Sequence, residues 1–347
     1  MHCCKECFWD LDLRNEIQLN SENEGNCEFC GSYAPLLMPK LLRNKFEFLK
    51  EEMFANCDDG EFTLAECFQK EFSVFNEEKV RNINRLLDEI FLDDKEYVSG
   101  KFKLIVENNR FSYDWELLRK ELISKNRFFP QTKSLADMLR GNQTSELKVF
   151  EMLISQLTST LPIDYPLYRA RIIDPIVNFK KELDKPPAKL AGDGRANPVG
   201  ISYLYCADDK ETAVTEIRPS TGSIVHIASL RTNRSVNILD LTNPRKSYSA
   251  FQFADSDSVL ALELIVLLER LSYELSIPIA ESRHLYYLPT QFFCEFIKSQ
   301  RTVDGIVFSS SFTNKKNYVF FNEKSEEIVE FTSFERVCVT KTVHEYE

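Results

Sequence analysis

Two groups of residues have the types and spacing to do chemistry. The first is N-terminal: Cys4-Lys5-Glu6-Cys7 and Cys27-Glu28-Phe29-Cys30-Gly31, two CxxC pairs joined by the stretch 8–26. Zinc takes four thiolates in a tetrahedron, and two such pairs on tight turns supply them at this spacing. Cys4, Cys7, Cys27 and Cys30 therefore read as ligands of a structural Zn2+, with Cys3 as the alternative to Cys4 and Gly31 easing the turn. Incidental reduced thiols and a redox pair are the competing readings. No catalytic group accompanies the pairs, so the role they point to is structural.

The second group lies between residues 168 and 321. It comprises Tyr168-Arg169-Ala170-Arg171, Gly194-Arg195-Ala196-Asn197-Pro198-Val199-Gly200 and Tyr203-Leu204-Tyr205-Cys206-Ala207. Then come Thr212-Ala213-Val214-Thr215-Glu216-Ile217-Arg218-Pro219, Tyr287-Leu288-Pro289-Thr290-Gln291, Asp304-Gly305-Ile306-Val307-Phe308-Ser309-Ser310-Ser311 and Asn317-Tyr318-Val319-Phe320-Phe321. Guanidinium groups grip phosphate oxygens bidentately. A tyrosine face suits a flat cation, and a fixed carboxylate can face developing positive charge. Taken singly, each of these residues has an ordinary reading as a solvated surface group or a core aromatic.

The elements that must position them differ along the chain. Residues 1–35 are cysteine- and turn-rich and read as a zinc ribbon. Residues 36–160 are charged, aromatic and poor in glycine, with apolar residues at three- and four-residue spacing over 80–92, 115–124 and 147–161, the pattern of amphipathic helices. Residues 161–334 mix short β-rich runs (203–206, 223–230, 236–239, 304–309 and 318–322) with helices over 209–217 and 259–271. Such a mixture, close in sequence but not strictly alternating, predicts an α+β domain rather than a doubly wound sheet. Pro162 and Pro166 mark the junction, and 335–347 reads as a last strand and a charged tail. There is no internal repeat and no low-complexity tract.

Composition narrows the function classes. The 347 residues are 43% hydrophobic and 28% charged, ordinary for a soluble protein with more than one domain. No apolar run approaches the ~18 residues of a membrane span, and the N-terminus lacks the order of an export signal. The expectation is therefore a cytoplasmic protein with no membrane partner, in which paired cysteines bind metal rather than each other. A net charge of −11 disfavours nucleic acid as a partner. P-loop, dinucleotide GxGxxG, GxSxG and HExxH signatures are absent, and four scattered histidines make a His-based triad a poor expectation.

The ordered motifs of the third region resemble the RES domain, a family of NAD-degrading toxins named for an arginine, a glutamate and a serine. Its pattern runs YR, GRxNPxGxxYLY, TAxxExRP and DGIxYxSS. The resemblance covers nearly the whole third region, most specifically at GRANPVG…YLY…TAVTEIRP. It implies an ADP-ribosyltransferase-like split sheet with NAD+ in its cleft. It also implies cleavage of the nicotinamide–ribose bond, a glycohydrolase or phosphorylase reaction with water or inorganic phosphate as acceptor. Such cleavage needs a held diphosphate, a positioned ring and a stabilised oxocarbenium-like ribose.

On the matching positions, Arg169 and Arg195 clamp phosphate, Tyr205 stacks on nicotinamide or ribose, and Glu216 faces the developing cation and a ribose hydroxyl. Ser310 aligns with the family serine that orients the acceptor, with Ser309 and Ser311 one residue away on either side. Asn317 is expected to contact substrate. Arg171, Arg218 and Gln291 read as supporting residues or as groups that satisfy the sheet. Phe308 departs from the family tyrosine, which removes a hydroxyl there.

The helical region and cysteine ribbon together resemble the HEPN-like extension found before some RES domains. RNA cleavage by such a part needs an arginine and a histidine on one helix, and 36–160 has no histidine. A partner-binding or homo-oligomerising role remains for it. The expected setting is a toxin or antiviral defence effector restrained by an antitoxin, or by its own N-terminal part until an activator arrives. The alternatives are an ADP-ribosyltransferase acting on a macromolecule and a non-enzymatic zinc-ribbon regulator.

Overall fold

In the computed structural model the described residues are 1–92, 94, 98–105, 110–132, 138, 144–253, 256–277 and 285–341. The last residues of the expected charged tail, 342–347, lie outside them. So do 93, 95–97, 106–109, 133–137 and 139–143 of the region read as helical. The chain forms two compact units: Met1–Glu116, Lys133–Leu157 and Asn243–Glu269 make one, and Leu117–Thr132, Thr158–Thr242 and Arg270–Glu347 the other.

The first unit begins with β1 (Cys3–Cys4), α1 (Leu11–Asn20), β2 (Asn23–Asn26) and β3 (Tyr33–Leu37), the strands forming an antiparallel sheet in the order β1-β3-β2. Asp10 starts α1 by accepting the Leu13 amide at 3.0 Å, which satisfies one of the donors a helix start leaves open. The buried Asp10 side chain also accepts the Ser249 hydroxyl at 3.0 Å, and burial raises its pKa to about 7. Then follow α2 (Arg43–Met53), β4 (Phe54–Asn56), α3 (Leu64–Phe72), α4 (Ile83–Ile90) and β5 (Phe102–Leu104). Helices α5 (Arg110–Ser124), which belongs to the second unit from Leu117 on, and α6 (Ser145–Leu157) come next. Buried phenylalanines make the core; Phe46 meets Phe8, Phe68 and Phe75 at centroid distances of 6.5, 5.1 and 5.9 Å. Residues 243–269 are tied together within this unit by Arg245, whose Nε and Nη2 meet the two oxygens of Glu269 at 2.8 and 2.6 Å.

The second unit carries β6 (Thr158–Leu161), β7 (Pro166–Ile172), β8 (Leu204–Ala207), α7 (Lys210–Glu216), β9 (Ile224–Thr232) and β10 (Val236–Asp240). Helix α8 (Ser256–Ser276) enters it at residue 270. After α8 come α9 (Leu288–Ser299), β11 (Gly305–Ser309), β12 (Lys316–Phe320) and β13 (Val329–Cys338). The eight strands form one mixed sheet in the order β13-β9-β7-β8-β12-β11-β10-β6. The fold is α+β, as the mixture of short strands and helices predicts.

The order of the sheet creates an opening. Strand β7 pairs with β9 along its whole length, from Pro166↔Arg231 to Ile172↔Val225, yet meets β8 only at Tyr168↔Ala207. Beyond that pair the two strands part, and the sheet splits between them. Leu167, Leu204, Leu230, Ile238, Val307 and Tyr318 are among the buried residues that pack one face of the sheet and keep its two halves together around the split.

Several elements depart from the pattern in the sequence. The helix read over 147–161 stops at Leu157, because 158–161 pairs antiparallel with 236–239 and its two threonines suit a strand. The helix read over 259–271 extends to 256–276. Helix α9 has no counterpart among the expected elements, although Pro289 in its first turn marks its start. The last strand begins at Val329, ahead of the expected 335.

Candidate functional site

The split between β7 and β8 is the mouth of a cavity of about 480 Å³ in the second unit, a size suited to a small organic ligand. Strand β7 lines it with residues 168–171, β8 with 205–207, and α7 with Ala213 and Glu216; Ile217 and Arg218 follow directly. Ala213, Glu216 and Ile217 share a wall because residues three and four apart lie on one helix face. Asp209 fixes the start of α7 by accepting the Thr212 amide at 2.8 Å, which places Glu216 at its far end.

Glu216 is the hub. Its Oε1 accepts the Ser310 hydroxyl at 2.7 Å and the Asn317 amide at 2.6 Å, and its Oε2 faces Arg195 Nη2 at 3.7 Å. Ser310 is buried and bonded to Glu216, whereas Ser309 and Ser311 are exposed, so of the run of three Ser310 is the one whose side chain meets the carboxylate. Residues from α7, β12, the end of β11 and the 191–201 loop thus meet at one carboxylate.

Arg195 is fixed from the other side. Its Nη1 donates to the carbonyls of Leu275 and Ser276 at 2.8 and 2.7 Å, the last turn of α8, where unpaired carbonyls and the helix dipole favour a cation. The loop that carries it is latched at several points. Thr290 Oγ1 donates to the Arg195 carbonyl at 2.6 Å and Gln291 Nε2 to the Gly194 carbonyl at 2.8 Å, both from the first turn of α9. Tyr205 Oη accepts the Ala196 amide at 3.2 Å and donates to Asn197 Oδ1 at 2.7 Å. Asn197 in turn spans the loop, with its Nδ2 donating to the carbonyls of Gly192 and Ile201 at 2.9 and 2.8 Å. A Cβ on Gly194 would come within 2.5 Å of Asn197 Oδ1 and 2.7 Å of Tyr205 Oη, so glycine is required by close approach.

Arg169 is buried in the wall. Its Nε and Nη1 donate to the carbonyls of Leu183 and Tyr205, both at 2.8 Å, and burial together with neighbouring Arg171 lowers its pKa to about 10. It stays charged near neutral pH. Burial also pushes the Tyr205 phenol up, keeping it a neutral donor and acceptor. Phe308 lines the floor and adds no hydroxyl. Arg218 sits at the rim in a left-handed backbone conformation (φ 46°), with its guanidinium 5.3 Å from the Phe312 ring centroid. The lining carries four arginines, 169, 171, 195 and 218, against the carboxylates of Asp193 and Glu216, in a chain whose net charge is −11. The cavity is therefore a positive spot on an acidic protein, and it suits an anion that carries an aromatic or sugar group.

All six residues expected at the site meet here: Arg169, Tyr205 and Asn317 line the cavity with Arg195 and Glu216, and Ser310 reaches it through Glu216. The sequence did not reveal the carbonyls of Leu183, Leu275 and Ser276 that hold the arginines, since a carbonyl has no signature in residue type. Asp193 carried no sequence signal either. Tyr287 and Thr290 were visible only as parts of a motif. Asp304 of the DGI motif serves the fold instead, since Arg234 binds it through Nη1 and Nη2 at 3.0 and 2.6 Å.

In the first unit, the Sγ atoms of Cys4, Cys7, Cys27 and Cys30 all lie within 4.8 Å of one another, with Cys4–Cys30 at 3.5 Å and Cys7–Cys27 at 3.3 Å. A tetrahedral ion with metal–sulfur bonds of ~2.3 Å sets sulfurs about 3.8 Å apart, so the four fit a metal ion. Gly31 turns the chain behind the second pair at φ 75°, and the Phe29 amide points to Cys27 Sγ at 3.5 Å. Cys3 is not in the cluster; its thiol donates to the Leu37 carbonyl at 3.5 Å. Among the described residues no helix is long and apolar enough to cross a membrane.

No curated protein matches the sequence. Among solved structures, the crystal structure of the M. tuberculosis MbcT-MbcA toxin-antitoxin complex is similar over 56% of this chain and 93% of that one, at 10% identity and a TM-score of 0.34. The family model of the RES domain matches residues 166–337, the stretch that runs from the first residue of β7 almost to the end of β13 and holds every cavity residue described above. Over residues 166–337 the chain is a RES domain.

Proposed function

We propose that the RES domain cleaves the N-glycosidic bond between nicotinamide and ribose in NAD+ and so acts as an NAD-depleting toxin. The observation that carries this reading is the Glu216 hub, a carboxylate held by Ser310, Asn317 and Arg195 on the wall of a positively lined cavity. In the reaction the C1′–N bond breaks and its electron pair stays on the nicotinamide nitrogen, turning a cationic ring neutral. The ribose left behind gains oxocarbenium character, and an acceptor oxygen bonds C1′ and releases a proton. Glu216 places negative charge beside that ribose. Ser310 donates its proton to Glu216 and keeps a lone pair free to orient the acceptor, water or inorganic phosphate. Tyr205 supplies an aromatic wall while its hydroxyl holds the 194–197 loop.

The test is nicotinamide release from NAD+ by the purified protein, with products resolved as ADP-ribose, its 1″-phosphate or labelled protein. Intact NAD+ with water, phosphate and candidate protein acceptors, and with every activator tried, would sink the reading. Label on protein would instead identify a transferase.

The cysteine cluster we assign to structural Zn2+, since four thiolates in a tetrahedron suit that ion and leave no open coordination position. Bound there, it would lock the β1–β3 turn region of the first unit. The remaining helices of that unit are proposed as a control or homo-oligomerising module. An antitoxin or an activator would be its counterpart, because unrestrained loss of NAD+ harms the cell that makes the enzyme. The proposed compartment is the cytoplasm, which keeps thiolate ligands reduced.

A further inference from the structure

The main cavity has a neighbour. A second chamber of about 230 Å³ shares Arg169, Arg171, Asp193, Gly194 and Tyr205 with it, and is lined elsewhere by residues such as Pro186, Gly192 and Ser202. The residues common to both form a waist between two compartments, and two arginines stand in that waist.

The arginines of the site are not equally available. Arg195 has committed Nη1 to two carbonyls and holds Nη2 toward Glu216, and Arg169 has committed Nε and Nη1 to carbonyls. Arg171 is half-buried on β7 and, among the described residues, makes one hydrogen bond, from Nη1 to the Glu182 carbonyl at 3.2 Å. Among the described residues no carboxylate lies within ion-pair distance of it. A half-buried guanidinium with donors to spare, lining both compartments, is placed to take an anion.

Building on the proposed NAD+ cleavage, we propose that the substrate is a dinucleotide seated across both chambers, its diphosphate at the waist on Arg171, and that Arg195 positions Glu216 instead of binding phosphate. The main cavity, with Glu216 and Tyr205, takes the nicotinamide riboside half, and the smaller chamber takes the other nucleoside. Nicotinamide mononucleotide has the same scissile bond but one phosphate and one nucleoside. It fills only the main cavity and forgoes the second chamber, so the site selects the dinucleotide over the half-molecule.

The experiment compares full-length wild type, Arg171→Ala, Arg171→Lys and Gly192→Leu with NAD+ and with nicotinamide mononucleotide, and titrates ADP-ribose by calorimetry. Losing a charge-assisted phosphate contact is worth about 10- to 100-fold in affinity. Arg171→Ala should raise KM for NAD+ and Kd for ADP-ribose by that factor, leave kcat for NAD+ within about threefold, and raise KM for the mononucleotide by less, because its single phosphate makes only part of the contact at the waist. Arg171→Lys should recover part of the loss. A Cβ at Gly192 meets open space, so Gly192→Leu is expected to fold. It should narrow the smaller chamber and weaken NAD+ and ADP-ribose together, with a smaller effect on the mononucleotide. Equal cleavage of both substrates by wild type, or equal effects of the variants on both, would overturn the inference and leave NAD+ cleavage standing. If wild type cleaves neither substrate, the parent reading fails. The calorimetric arm still decides this one, since undiminished ADP-ribose binding by Arg171→Ala refutes it and lost binding supports it.

Discussion

Glu216→Gln isolates the charge at the centre of the site. Glutamine keeps the shape, and its one carbonyl oxygen can go on accepting from Ser310 and Asn317, which both bond Oε1 in the wild type. What disappears is the negative charge, and the new amide group presents donors to Arg195 Nη2 across the 3.7 Å gap. In the transition state of the proposed reaction the carboxylate would face a ribose carrying up to one unit of positive charge. At a separation of about 5 Å and an effective dielectric constant of about 20 the lost attraction is about 3 kcal/mol, or about 10²-fold in rate. With four arginines and then a single acid left in the lining, the pull on the diphosphate does not fall, so KM should stay level or drop. The assay is nicotinamide release under saturating NAD+, beside ADP-ribose affinity and a thermal melt. A kcat within threefold of wild type would refute an electrostatic role for Glu216. So would an equal loss in ADP-ribose binding, because product lacks the developing charge.

Gly194→Ala drives a Cβ into the Asn197–Tyr205 hydrogen bond; overpacking of this kind costs about 1–3 kcal/mol, and NAD+ turnover should fall with the displaced Arg195 loop. A melt and activity both equal to wild type would show that the loop yields freely. Burial raises Asp10 to about 7, so the folded unit keeps a proton that the unfolded chain releases above about pH 4. Stability of the first unit is then greatest below that pH and falls as pH rises toward 7, by up to about 4 kcal/mol. Asp10→Asn should flatten the slope in denaturant titrations at pH 5 to 8, and an unchanged slope refutes the assignment. Chelation, or Cys27→Ser, should release one zinc per chain and lower the melting temperature of the first unit, because metal affinity is folding energy at such sites. Metal-free wild-type protein with the same melting temperature would remove zinc from the structure.

Much of the site could be read from the chain alone. Arg169, Arg195, Tyr205, Glu216, Ser310 and Asn317 each stand in a short motif with fixed neighbours, and the two CxxC pairs announce a metal site by spacing. These signals survive in one dimension because turns, knuckles and helix faces are local: Glu216 reaches the cavity wall because it is three residues after Ala213 on the same helix. The mixture of short strands and helices likewise implies the α+β class. Boundaries were less legible. The break at Leu157 depends on β10, far along the chain, whose Leu239 pairs with Thr158. No local propensity encodes such a partner.

The sequence by itself determined which groups could act: arginines for an anion, a carboxylate for a cation, four thiols for a metal. Tertiary structure decided what each is free to do. It parted β7 from β8 after one residue pair and so opened the cavity, and it turned Ser310, of the three serines, onto Glu216. It also spent Arg195 on the carbonyls that end α8 while leaving Arg171 with donors to offer. Residue type fixes charge and donor count, but the partners that use those donors up are mostly backbone carbonyls, alike at every position until the fold brings one within hydrogen-bond reach.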